Sequence, residues 1–311
     1  MIKQTSDYRQ HLYSTLFESN VQKIRATLLV LHGMEEHSGR YEEFSKHLAN
    51  QGFAVLTYDH LGHGKTAKNK KDLGFFSKNN SVERVVDDAR TMANYLEKMY
   101  PDVPHFILGH SMGSFITRCL LQEESNRFDG AVIVGTGGKL KGVKPGKIYF
   151  SILNIFTPKK RSRFINNTFN KINNRRFKDD DKDSIGMNWL SVNKSNRKAF
   201  LNDSLCGVPF TNNGFYTLIS LNIRATKRDW AKNIRKKLPF LFISGSDDPI
   251  GNFGKGVEKT AELLKKDGFK DVSMKLYPKM RHEILNEDIK EHVYKDIVQW
   301  LTKYSKMSTL K

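Results

Sequence analysis

The sequence predicts an α/β fold: a mostly parallel central sheet with helices on both faces and an inserted, mainly helical cap. Three observations carry that reading. Short apolar runs bounded by Gly, Pro or polar residues recur along the chain. Segments with apolar residues at three- and four-residue spacing lie between them. The alternation stops after residue 136 and resumes near residue 238. The 311 residues suffice for one large domain carrying an insertion, or for two small ones. The pattern selects the first, with a core formed by residues 1–137 and 226–311 and an inserted basic cap at 138–225.

Taken in order, residues 7–20 alternate weakly and are expected to form an antiparallel edge hairpin. ATLLVLHG (26–33), AVLTYDH (54–60), HFILGHS (105–111), GAVIVGT (130–136), FLFISGS (240–246) and VSMKLYP (272–278) read as strands. They are rich in Val, Ile, Leu and Phe without strict alternation, as strands buried on both faces of a parallel sheet are. YEEFSKHLANQ (41–51), SVERVVDDARTMANYLEKMY (81–100), MGSFITRCLLQEE (112–124), GVEKTAELLKKDG (256–268) and DIKEHVYKDIVQWLTKY (288–304) read as amphipathic helices. The apolar stretch IYFSILNIF (148–156) lies in the insertion and is followed by PKKRSRF (158–164). Its Ile148, Phe150, Ile152, Leu153, Ile155 and Phe156 suit either the lining of an acyl-chain tunnel or a small core within the cap. DDDKD (179–183) lacks the Gly and distal Glu of a calcium loop and reads as a solvated charge run.

Charge is unevenly placed. The formal net charge is +19, and residues 138–238 hold 23 Lys and Arg against 6 Asp and no Glu. Such a field suits an anionic membrane surface or acidic metabolites, or is a solvated Lys-rich face. No nucleic-acid motif is visible, and no nucleic-acid partner is expected. The two cysteines, Cys119 and Cys206, have no metal-ligand spacing and make no disulfide framework, which points to a reducing compartment. The start, MIKQTSDYRQ, has no apolar signal region, and no run approaches the roughly 20 apolar residues of a spanning helix. A cytoplasmic protein, with peripheral membrane contact through its basic cap, is the expectation.

The chemistry centres on Gly109-His110-Ser111-Met112-Gly113, where a strand gives way to a helix. In G-x-S-x-G the turn is so tight that the serine is strained, and glycines two before and two after avoid clashes with the neighbouring strand and helix. The hydroxyl then stands at the carboxyl end of the sheet, beside helix N–H groups able to bind an oxyanion. Such a nucleophile needs a base and an orienting carboxylate, in the order Ser, acid, His, each after a later strand. Asp247-Asp248 follows FLFISGS, and His282 lies in the loop after VSMKLYP. The oxyanion hole needs two N–H donors. Met112, after the serine, supplies one, and Met34, after His32-Gly33, is the candidate for the other.

The stretches HGMEEHSGRY (32–41), DHLGHG (59–64), GHSMG (109–113), GSDDP (245–249) and RHEILNE (281–287) resemble the monoacylglycerol lipase/lysophospholipase branch of the α/β-hydrolase superfamily, also grouped with serine aminopeptidase-like hydrolases. SLCGVPFT (204–211) is similar to bacterial lysophospholipase-like members. The resemblance spans about residues 10–303 and is weakest in the basic insertion. One departure is Thr66, where the family often has Ser. The resemblance implies Ser111 as nucleophile, Asp248 as acid with Asp247 second, His282 as base, and the Met34 and Met112 N–H groups as oxyanion donors. His32, Gly33 and His63 are read as bracing the loops around the site.

Competing motifs are weaker. Gly64-Lys65-Thr66 ends like a phosphate loop, but Asp59 stands where its first Gly belongs. His282-Glu283 begins a zinc-helix motif that fails at Asn286. No metal or other cofactor is expected, and Cys119 reads as a packing residue. The expected activity is hydrolysis of a lipid ester, monoacylglycerol or lysophospholipid, through an acyl-enzyme on Ser111. A serine aminopeptidase-like peptidase, a short-chain carboxylesterase and a non-catalytic binder are the alternatives.

Overall fold

A computed structural model of the chain describes residues 1–9, 11–20, 23–139, 142–177 and 187–308. The run at 179–183 lies outside them. Eight strands form one sheet: β1 (Ile2–Arg9), β2 (Leu12–Ser19), β3 (Ala26–Leu31), β4 (Phe53–Tyr58), β5 (His105–His110), β6 (Gly130–Val134), β7 (Phe240–Gly245) and β8 (Val272–Tyr277). Their order is β1-β2-β4-β3-β5-β6-β7-β8. The β1–β2 and β2–β4 pairs are antiparallel, and the pairs from β4 to β8 are parallel. The edge hairpin expected at 7–20 is therefore present and begins at residue 2.

Strand alternation sorts the core. Leu28 and Val30 of β3 face α1 (Glu42–Asn50) and α9 (Lys290–Ser308) on one side of the sheet. Leu29 and Leu31 face α2 (Ser81–Met99), α3 (Met112–Glu124) and α8 (Lys255–Lys266) on the other. Helix α2 shows why it forms. Val82, Val85, Val86, Ala89, Met92, Ala93 and Leu96 recur at helical spacing and are all buried. Cys119 is fully buried among them. The strand β8 departs from the expectation of burial on both faces. It has one neighbour, so Ser273 and Met274 stay exposed on the sheet's edge.

Between β6 and β7 run α4 (Val143–Phe156), α5 (Arg163–Asn173), α6 (Lys194–Asn202) and α7 (Asn212–Ala225). Side chains start three of these helices. Ser162 Oγ, Asn193 Oδ1 and Thr211 Oγ1 accept from the N–H groups of Ile165, Asn196 and Gly214. Helix α7 packs on α3 and α4 and sends Phe215, Leu218 and Leu221 into the larger core cluster. Helix α4 corrects the expectation of a tunnel lining for residues 148–156 and meets that of packing within the cap only at Phe150 and Leu153. Phe150 alone is buried, stacked on Phe215 at 5.1 Å, and Leu153 is half-buried. Ile148, Ile152, Ile155 and Phe156 face solvent, Phe156 with 77% exposure. One face of α4 packs on α7, and among the described residues the rest of its apolar surface has no packing partner.

The strand order turns at β3 and β5, the two neighbours from which the chain winds outward in opposite directions. Loops leaving their carboxyl ends must diverge, and the crevice between them is where such sheets hold their sites.

Candidate active site

Ser111 sits in that crevice, between β5 and α3, with φ 53° and ψ −118°. Its strain is held from both sides. The Ser111 N–H donates to Val134 O at 3.0 Å, and Ser111 O accepts from the Ser114 N–H at 2.9 Å and the Ser114 hydroxyl at 2.5 Å. The flanking glycines are steric necessities. A Cβ on Gly109 would overlap Gly113 O and Thr117 Oγ1, and one on Gly113 would overlap the carbonyl oxygens of Leu31 and His32. Met112 opens α3, whose first N–H groups have no partner within the helix. Met34 lies on the neighbouring loop and lines the same cavity as Ser111.

Asp248 and His282 come together from the ends of β7 and β8. His282 Nδ1–H donates to Asp248 Oδ2 at 2.9 Å, leaving Nε2 as the ring's accepting nitrogen. Asp248 is fully buried and also accepts from Ser244 Oγ at 3.1 Å and the Ile250 N–H at 2.8 Å. Gly245 permits the approach, since a Cβ there would strike the carbonyls of Met280 and Arg281. Asp247 stays half-buried and accepts from Ser246 Oγ. His282 and Ser111 line one cavity, with Gly33, Met34, Glu35, Glu36, His110 and Glu283 on its core side.

His110 does more than fill an elbow position. Its Nε2–H donates to His282 O at 3.2 Å, and its Nδ1 meets the Tyr41 hydroxyl at 2.8 Å and Glu36 Oε1 at 3.2 Å. Glu36 Oε1 also accepts from the Gly33 N–H at 2.5 Å and from Tyr41 at 2.7 Å. Burial lowers the basicity of His110, but the Glu36 carboxylate outweighs it and raises the pKa above the usual imidazole value. Burial would raise Glu36, yet His110, Arg40 and Tyr41 bring it down to about 2. Arg40 spans Glu36 Oε2 at 3.4 Å and Glu283 Oε2 at 2.5 Å, joining the loop after β3 to the residue beside His282.

His32, Gly33 and His63 brace the neighbouring loops. His32 Nδ1–H donates to Gly33 O at 2.8 Å, and its Nε2 accepts from the His60 N–H at 3.0 Å. His60 Nε2–H returns to His32 O at 3.1 Å. The His63 ring lies 5.2 Å from that of His32 and 5.5 Å from that of Phe210. Burial holds the pKa of all three imidazoles low, His60 at about 3 and His63 at about 4, so they act neutral. His37 turns away to Asp203 at 2.8 Å. Asp59 accepts from the Ser38 and Lys65 N–H groups, which fixes the turn that mimicked a phosphate loop. Thr66 Oγ1 donates to Asp59 O and accepts from the Tyr13 N–H, so the departure from Ser keeps its hydroxyl employed.

The residues between β6 and β7 are fastened to the histidine loop. Fully buried Glu287 accepts from Ser191 Oγ and the N–H groups of Val192, Asn193 and Arg281. Arg281 donates to Asn188 O at 2.6 Å, and the Glu283 N–H to Leu190 O at 2.9 Å. Trp189 thereby lies with its ring 5.2 Å from that of His282. The cavity's apolar wall is Phe169, Met187, Trp189, Leu190 and Phe200, not the 148–156 stretch. Sequence reasoning assigned no role to Glu36, Arg40, Tyr41, His60, Glu283 or Glu287. The first three stood inside HGMEEHSGRY as polar residues, but their partners are distant in sequence.

The sheet order, the strained serine at the crevice and the Asp248–His282 pair at later strand ends define an α/β-hydrolase. The chain belongs to the family described as serine aminopeptidase, S33, whose model matches residues 22–289. The human monoglyceride lipase is 26% identical over 281 residues, covering 89% of this chain and 82% of that one. A carboxyl esterase structure from Bacillus coagulans superposes with a TM-score of 0.89 at 24% identity, over 98% of this chain and 99% of the other. The Saccharomyces cerevisiae monoglyceride lipase structure gives 0.73 at 22% identity, over 98% and 97%.

Proposed function

We propose that this protein hydrolyses carboxylic esters of lipids, monoacylglycerol or lysophospholipid, through an acyl-enzyme on Ser111. The observation that carries this is a strained serine sharing a cavity with a histidine whose other nitrogen is fixed on a buried aspartate. In this reading His282 Nε2 takes the Ser111 proton as the hydroxyl attacks the ester carbonyl. Asp248 holds the imidazole's tautomer and stabilises the imidazolium. The Met34 and Met112 N–H groups receive the oxyanion. The leaving alcohol takes the proton from His282, and water then reverses the sequence on the acyl-enzyme. The apolar wall from Phe169 to Phe200 supports an acyl chain as the group accommodated. The likeness to monoglyceride lipases over most of their length supports the same substrate class.

Residues 138–225 act in this reading as the cap, and α4 rests on a lipid surface. No helix among the described residues is long and apolar enough to cross a membrane. Exposed Ile148, Tyr149, Ile152, Ile155 and Phe156 stand beside exposed Lys144, Lys159, Lys160 and Arg163. That combination suits shallow insertion with cationic contact to anionic lipid. The test is a panel of monoacylglycerols, lysophospholipids, p-nitrophenyl esters and aminoacyl anilides, with Ser111→Ala alongside. Turnover of the lipid esters that disappears in Ser111→Ala is expected. Turnover of the anilides alone overturns the lipid reading, and activity surviving in Ser111→Ala overturns the mechanism.

A further inference from the structure

Glu35 is a titratable residue of the cavity that the mechanism leaves unused. It follows Met34 in the loop after β3 and lines the same cavity as Ser111 and His282. It holds φ 55°, a left-handed conformation that suits glycine and resists a side chain. Its backbone oxygen accepts from the Gly207 N–H at 2.8 Å. Its carboxyl is poorly satisfied. Oε1 takes only the longer branch, 3.3 Å, of a Phe210 N–H that also donates to Asn166 Oδ1 at 2.9 Å.

The other carboxyls here have cations. Glu36 faces Arg40 and His110, and Glu283 faces Arg40. Among the described residues no Lys, Arg or His forms an ion pair with Glu35. The cavity is thus sorted into an apolar wall from the segment between β6 and β7 and a polar wall on the loop after β3. An acyl chain belongs on the first. The second is left for the alcohol half of the ester.

We infer that Glu35 is a specificity-determining residue: its carboxyl receives a hydroxyl of an uncharged, polyol-type alcohol portion and disfavours esters whose alcohol carries a phosphate. This rests on the lipid-ester reading and narrows it. Burial pushes the Glu35 carboxyl up to about 7, so both of its states are populated near neutrality. A hydroxyl suits either state as donor or acceptor, whereas an ammonium suits only the ionised one. A phosphate is repelled once Glu35 ionises. The other titratable and charged groups around it are Glu36, His37 and Arg40 on its own loop, His110 behind Ser111, His282 and Glu283 after β8, and Asp203 and Cys206 in the loop that contacts it.

The experiment compares kcat/KM for a monoacylglycerol and a 1-acyl-lysophosphatidylglycerol of equal chain length in neutral detergent micelles, from pH 6 to 8. The phosphodiester keeps its charge throughout, and titration of the triad cancels in the ratio. The ratio in favour of the monoacylglycerol is expected to rise about tenfold across that range in the wild type. It should stay flat in both Glu35→Gln and Glu35→Gly, the second of which also relieves the backbone. A slope that survives in both variants belongs to another group, such as His110, and overturns the inference. So does a wild-type ratio that does not change with pH while monoacylglycerol is hydrolysed. Hydrolysis of neither ester by the wild type overturns the lipid-ester reading itself, and this inference with it.

Discussion

Ser111 keeps a conformation that an L-residue resists because every neighbouring atom denies it another. The two glycines beside it are as constrained as the serine. A methyl at Gly113 meets the Leu31 and His32 carbonyls, and β3 cannot retreat because it is paired on both sides. Gly113→Ala is therefore expected to destabilise the protein by about 2–4 kcal/mol in denaturant unfolding. The groups proposed to react have a different signature. Asp248→Asn keeps the volume and loses the tautomer control, so kcat for a soluble ester should fall about 10³- to 10⁴-fold with the fold intact. Asp247→Asn, whose partner is Ser246, should change it less than about threefold. These residues were legible in the sequence because each follows an apolar run that reads as a strand, and the strand pattern alone orders them. Glu36, Tyr41 and Glu287 were not, because a carboxylate or phenol in a loop carries no sign of the distant N–H groups it will meet. His110 was legible as part of the turn, but not as the residue that grips the His282 backbone.

The central strands were read closely, and the β8 edge and helix α4 were not. The apolar runs at 26–33 and 54–60 became central strands, whereas 272–278 became an edge. Composition does not reveal which strand is last. Helix α4 misled for the same reason, since its apolar residues have a partner on one side only. Helix α2 carries a testable defect. Asp88 lies on its buried face, near Tyr58, and among the described residues neither Asp88 Oδ2 nor the Tyr58 hydroxyl has a hydrogen-bond partner. Burial raises the Asp88 carboxyl to about 7, against the opposing effect of Arg84 at 3.7 Å. Between about pH 4 and 7 the folded chain binds a proton there that the unfolded chain has released. Stability from this group therefore falls as pH rises through that window. Asp88→Asn removes the effect. Its melting temperature should exceed the wild type's by about 2–4 °C at pH 8 and match it near pH 4, as calorimetry would read.

Across the whole molecule, charge and exposed apolar surface fall together in one stretch of the chain. The excess of Lys and Arg falls in residues 138–238, and α4 within it presents Ile155 at 72% and Phe156 at 77% exposure. Vesicle cosedimentation should rise with anionic lipid and fall with salt. Ile155→Asp with Phe156→Asp should reduce it at least about fivefold, while hydrolysis of a soluble p-nitrophenyl ester by the same variant measures whether the site is intact. Binding that ignores lipid charge, salt and both substitutions would make the basic face a solvated one. The cavity around Ser111 adds a kinetic dimension. As it stands, the cavity leaves little free space beside Ser111. Where opening must precede entry, the substrate's apparent affinity is diluted by the fraction of molecules that are open. Any surface that favours the open form raises that fraction without touching the chemistry. Plotted against substrate concentration, the rate should then bend upward where the ester ceases to be monomeric and begins to aggregate.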